Sequence, residues 1–142
     1  MKTLLIALLS LLPLLGLAQQ KPQTPPAYQL STHILDINKG LPAPGVKVRL
    51  SKFNSAKKVW EVVAEKQTDD AGRISDFLPT AGQSGTQQGI FKLTFQTKPY
   101  FKAMQQESFY PFIEVVFELT NGAHYHVPIT LSAFGYSTYR GS

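Results

Sequence analysis

From Val46 to Ser51 the chain alternates with a strict two-residue period, setting Val46, Val48 and Leu50 against Lys47, Arg49 and Ser51. Only a β-strand points successive side chains to opposite faces, so such a run describes a strand buried on one side. The pattern recurs. Tyr28 to Leu35 puts Leu30, Thr32 and Ile34 on one face and Gln29, Ser31, His33 and Leu35 on the other. Further strands are expected at Val59 to Gln67, Arg73 to Ser75, Ile90 to Thr97, Pro111 to Thr120 and His124 to Leu131. Between them, Asp36 to Gly45, Thr68 to Gly72 and Ala81 to Gly89 carry loop and turn residues. Asn121-Gly122 predicts a tight turn joining the last two strands. Pro99 to Glu107 is the one expected helix, with Pro99 in its first turn and Tyr100, Phe101, Met104 and Gln105 on one side. Seven or eight short strands and a single helix describe an all-β protein, an antiparallel β-sandwich.

Ahead of the first strand lies a segment of another kind. Met1-Lys2 is followed by an apolar run of about ten residues, too short to cross roughly 30 Å of hydrocarbon as a helix. Pro13 and Gly16 interrupt it before Leu17-Ala18-Gln19. Residues 1–18 therefore read as a signal peptide cleaved after Ala18, residues 19–27 as a Pro-rich linker, and 28–142 as the folded domain. That assignment implies export to the periplasm or the outside, with no membrane attachment after cleavage. None of the 142 residues is Cys. That excludes a disulfide scaffold, thiolate metal sites, a Cys nucleophile and a lipidated Cys. The formal charge of +5 suits an anionic ligand, yet no basic stripe with interleaved aromatics marks a nucleic-acid surface.

The residues able to do chemistry are few. His33, His124 and His126 are the three histidines. His124 and His126 share a strand face, with Tyr125, Val127 and Ile129 directed at the core. Pro128 lies on the histidine side and lacks an N–H, so the strand is expected to be irregular there. Such histidines are usually satisfied by solvent or local hydrogen bonding; a His-x-His metal site completed by His33 is the alternative. No Gly-x-Ser-x-Gly elbow and no Gly-rich phosphate loop is present.

Four motifs in order carry a family resemblance. Tyr28-Gln29-Leu30-Ser31-Thr32-His33-Ile34-Leu35-Asp36, with Gly40-x-Pro42-Ala43 after it, resembles the opening motif of the transthyretin-like 5-hydroxyisourate hydrolases. Thr68-Asp69-x-x-Gly72-Arg73 is similar to their second motif. Tyr110-Pro111-Phe112 with His124-Tyr125-His126-Val127-Pro128 resembles the third. The ending Gly135-Tyr136-Ser137-Thr138-Tyr139-Arg140-Gly141-Ser142 resembles the signature that separates the hydrolases from the hormone carriers. The chain departs from the family in the loop Ala81 to Gly89 and at Ala133-Phe134.

The resemblance implies a sandwich of two four-stranded sheets, assembled as a homotetramer with sites in a channel between dimers. It implies hydrolysis of 5-hydroxyisourate, a purine-derived anion of urate catabolism, to 2-oxo-4-hydroxy-4-carboxy-5-ureidoimidazoline, with no metal or other cofactor. His33, Arg73 and His126 carry over as the catalytic set. His33, Arg73, Ser137, Tyr139, Arg140 and Ser142 carry over as substrate-binding, and His124 in a structural or secondary role. A small-ligand carrier of transthyretin type and a secreted structural sandwich are the alternatives. The carrier should lack both the His33/Arg73/His126 set and the Tyr-Arg-Gly-Ser ending.

Overall fold

A computed structural model describes residues 27–81 and 85–141. The leader and all of the linker but Ala27 lie outside the described residues. Ala27 is pinned to the fold, its carbonyl accepting hydrogen bonds from Thr80 N at 3.0 Å and Thr80 Oγ1 at 3.2 Å.

The strands are β1 (Tyr28–Asp36), β2 (Leu41–Pro42), β3 (Lys47–Asn54), β4 (Val59–Gln67), β5 (Arg73–Pro79), β6 (Gly89–Phe95), β7 (Ile113–Leu119), β8 (Tyr125–His126), β9 (Ile129–Leu131) and β10 (Tyr136–Thr138), with one helix, α1 (Thr97–Ala103). One sheet has the order β4-β3-β6-β7, antiparallel throughout. In the other, β1 is central. β5 and β2 pair with one of its edges, β8 and β9 with the other, and β10 adds to β9. Its six segments thus lie four abreast, the layout expected of the sandwich. Between the sheets, Leu30, Ile34, Leu50, Phe77, Phe91, Phe95, Leu119 and Leu131 are fully buried. Burial of each such side chain contributes on the order of 1.5–3 kcal/mol.

Two expectations need correction. The segment after Asn121-Gly122 does not fold back on β7; it crosses to the other sheet, where β8 and β9 run parallel to β1. The turn is held by cross-sheet bonds. Gln29 Nε2 donates to Asn121 O at 2.8 Å, and the buried Tyr125 hydroxyl donates to Asn121 Oδ1 at 3.2 Å. The helix also begins and ends earlier than Pro99 to Glu107. Thr97 is buried and donates from Oγ1 to Tyr110 O at 3.3 Å, which draws the first turn back by two residues. Gln105, with φ 57°, stops the helix: its N–H reaches Lys102 O and that of Gln106 reaches Phe101 O, the paired bonds of a Schellman terminus.

A non-glycine residue in this left-handed position carries strain that glycine lacks. Gln105→Gly should therefore stabilise the domain by about 1 kcal/mol, near the lower end of the left-handed penalty. A rise in the denaturation midpoint at unchanged m-value is the expected reading.

Candidate active site on the outer face of the β1 sheet

The alternation of β1 buries Leu30, Thr32 and Ile34 and leaves Ser31 and His33 on the outer face, both half-buried. Pairing brings two further residues there: Arg73 stands opposite His33 on β5, and His126 opposite Ser31 on β8. Directly paired residues on one face hold their Cβ atoms about 4.5–5.5 Å apart. His33 and Arg73 are such a pair, and His126 lies near enough to feel the charge of both, so the three, far apart in sequence, form one cluster.

Local structure fixes each member. Thr68 is buried; its hydroxyl donates to Ala43 O at 2.8 Å and accepts from Val46 N at 2.9 Å. Asp69 then closes a tight turn, accepting from Gly72 N at its carbonyl (2.8 Å) and from Arg73 N at Oδ1 (2.7 Å). Gly72 has φ 70°, and a Cβ on it would lie 2.6 Å from Ile34 O, so the turn can lie against β1 only with glycine there. On the other edge, Thr32 Oγ1 donates to Val127 O at 2.7 Å and Val127 N donates to Ser31 O at 3.0 Å. Those bonds seat the break between β8 and β9 at Val127-Pro128, the irregularity that Pro128 implies. Tyr125, Val127 and Ile129 are buried beneath it, as the alternation requires.

The electrostatics favour neutral imidazoles beside a permanent cation. Burial, and secondly the Arg73 charge, hold His33 below the ordinary histidine pKa, with Asp69 pulling the other way. His126 is lowered by burial, Arg73, His33 and His124, in that order, against a smaller opposing contribution from the Ser31 backbone. The Arg73 guanidinium has no acidic partner among the described residues. Neutral bases next to an uncompensated fork-shaped cation can activate water and hold an anion together.

The tail is more divided. Ser137 pairs with Thr130, which pairs with Leu35, so it lies on the His33 face one row further along. Tyr139 and Arg140 instead line a groove of about 300 Å³ against Val115, Phe117 and Tyr125, with Arg140 Cζ 4.9 Å above the Tyr125 ring. Gly141 returns to the cluster, its N–H donating to His126 O at 2.9 Å. Ser142 lies outside the described residues. His124 is exposed, with Nδ1 2.8 Å from Tyr28 O and Nε2 2.8 Å from Ser31 Oγ. Among the described residues, no three His, Asp or Glu side chains converge as metal ligands.

Sequence reasoning gave no role to Ser31, Asp69 or Gly141. The signal for Ser31 was its place two residues before His33, on the same face. A wider concavity of about 730 Å³ between α1 and the outer side of β3 and β4 holds Lys39, Lys47 and Arg49. Glu65 engages two of those cations, and no histidine lines the space. The His33 cluster is therefore the candidate site for chemistry.

The 5-hydroxyisourate hydrolase of Mus musculus is 42% identical over 114 residues, covering 80% of this chain and 94% of its own. The structure of Klebsiella pneumoniae 5-hydroxyisourate hydrolase superposes with a TM-score of 0.68 at 36% identity, covering 81% of this chain and 94% of that one. Transthyretin from Sparus aurata gives 0.71 at 30% identity, over 80% and 96% of the two chains. The profile of the HIUase/Transthyretin family matches residues 30–141. The chain belongs to that family.

Proposed function

We propose that this protein hydrolyses 5-hydroxyisourate, giving 2-oxo-4-hydroxy-4-carboxy-5-ureidoimidazoline in urate breakdown. The observation that carries the reading is the cluster itself: two imidazoles of lowered pKa beside an arginine without an acidic partner among the described residues. The names and similarity of the relatives support it. In this mechanism His33 polarises a water for attack on the activated carbonyl, and His126 shares the proton released. Arg73 holds the anionic substrate and the oxyanion that develops. A transthyretin-type carrier would need none of these three groups.

An absorbance assay on freshly generated substrate tests the reading. His33→Ala and His126→Ala should each lower turnover by about 10²–10⁴-fold, the usual contribution of general-base help. Arg73→Ala should cost on the order of 10²–10³-fold, as loss of an oxyanion donor does. His124→Ala should cost less, and chelation should leave activity intact; loss on chelation, restored by Zn²⁺, would favour a metal mechanism. Because both histidine pKa values are lowered, the bases stay neutral at pH 7, and activity should fall only below the ordinary histidine value of about 6.5. Removing the Arg73 charge removes one cause of the lowering. Arg73→Gln should thus move the NMR titrations of His33 and His126 upward, and unchanged titrations would contradict the electrostatic account.

We further propose that the domain works as a homotetramer in which Tyr139, Arg140 and Ser142 wall a site shared between subunits. Tyr and Arg are among the residues that most often carry interface energy. Deleting residues 139–142 should abolish turnover with the far-UV β signal nearly unchanged. Light scattering on the same protein reports assembly, and a fully active monomer refutes the shared site.

Export completes the proposal, with residues 1–18 removed as a signal peptide. Intact mass of the exported protein should correspond to a chain starting at Gln19; a full-length, membrane-retained product contradicts it.

A further inference from the structure

The hydrogen bonds beside the cluster form an ordered chain. Tyr28 O lies 2.8 Å from His124 Nδ1, His124 Nε2 lies 2.8 Å from Ser31 Oγ, and Ser31 Oγ lies 2.8 Å from His126 Nδ1. A carbonyl oxygen can only accept, so His124 Nδ1 carries a proton. In neutral His124 the other nitrogen is then an acceptor, and it takes the Ser31 hydroxyl proton. Having donated its only proton, Ser31 Oγ is left to accept, and the donor available to it is Nδ1–H of His126. One proton per link satisfies the whole chain. The remaining nitrogen of His126, Nε2, makes no hydrogen bond with any described residue and carries the lone pair.

We propose that Ser31, backed by His124, is a positioning residue that fixes His126 as the Nδ1–H tautomer and so turns Nε2 into the site's proton acceptor. This rests on the hydrolase reading, and it sharpens the role of His126 from sharing a proton to receiving it. When Nε2 takes the proton from the attacking water, the O–H bond of that water breaks, its electron pair goes to the forming C–O bond, and the imidazolium retains its Nδ1–H bond to Ser31. No rearrangement of the chain is needed. A wrong tautomer would present an N–H where a base is required, which in a Ser-His-Asp hydrolase is severely damaging. Parallel pairing makes the arrangement possible, because it sets Ser31 directly across from His126. Gly141 closes over the opposite edge of the ring, where a Cβ would lie 2.6 Å from His126 Cδ2.

The test combines side-chain ¹⁵N NMR with kinetics on the full mature chain at pH 8, where an ordinary imidazole of pKa about 6.5 is neutral. Wild-type His126 should show a protonated Nδ1 and a bare Nε2. Ser31→Ala should lower kcat by about 10- to 100-fold, on the scale that losing the orienting partner of a metal-bound histidine costs, with KM changed less than kcat and the tautomer signal mixed. Ser31→Thr, which keeps the hydroxyl on a strand-favouring residue, should restore most of kcat and the single tautomer. A wild-type His126 protonated at Nε2, or a folded Ser31→Ala with wild-type kcat, overturns the proposal. The tautomer is read without substrate: hydrolysis with the wrong tautomer defeats only this inference, and the right tautomer without hydrolysis defeats only the function.

Discussion

The site depends on β1 being paired along both edges. Its inner residues Leu30, Thr32 and Ile34 are fully buried, so the register cannot slip. A shift of one residue would carry His33 into the core and expose Ile34. With β1 fixed, β5 delivers Arg73 opposite His33 and β8 delivers His126 opposite Ser31. Thr32 shows how tightly the two faces are coupled: its inward hydroxyl holds Val127 O, and so sets the strand that presents His126 outward. Asp36 has a similar role at the far end. Its buried carboxylate accepts from Asn38 N and from the Tyr100 hydroxyl, whose pKa burial and Asp36 push up, keeping it a donor.

Three groups that repel protons from one another sit together here, and the fold bears that cost. Arg73, lacking a carboxylate partner among the described residues, lowers the pKa of both histidines. An acidic neighbour would relieve the repulsion but would also occupy the guanidinium and raise the imidazole pKa values. Asp69 exerts such an influence on His33, and its Oδ1 is turned to the Arg73 backbone N–H. That carboxylate oxygen therefore builds the turn, and the Arg73 guanidinium keeps no acidic partner among the described residues.

Much of this was legible in the sequence because strand alternation is a local property. The faces of β1, the break at Pro128, and the inward Tyr125, Val127 and Ile129 all derive from a two-residue period. Gln29 departs from it: assigned outward, it is buried, because its amide bonds the Gln87 and Asn121 backbone. Strand partnership was not legible. Asn121-Gly122 fits a hairpin, yet the chain crosses sheets, since Tyr125, Val127 and Ile129 bury their side chains beside β1. β4 is the strand expected at Val59 to Gln67, but the exposure of its Val59, Val62 and Val63 at the sheet's edge was not legible. Juxtaposition of His33, Arg73 and His126 came from family resemblance, because no local pattern encodes a contact between residues so far apart in sequence.

Two glycines flank the cluster for a reason the motifs alone do not state. Gly72 brings a turn within contact of the β1 backbone, and Gly141 brings the chain end against the His126 ring. Neither touches substrate chemistry through a side chain, because neither has one. A methyl at position 72 would meet a carbonyl of a fully paired strand, which cannot yield, so the turn and Arg73 would have to move away from His33. A methyl at position 141 would meet the edge of an imidazole held by a hydrogen bond at Nδ1 and by the backbone bond from Gly141 to its own carbonyl. Either the tail would lift or the ring would rotate off Ser31. The positions of Arg73 and His126 are thus set by backbone that can approach only because a Cβ is missing.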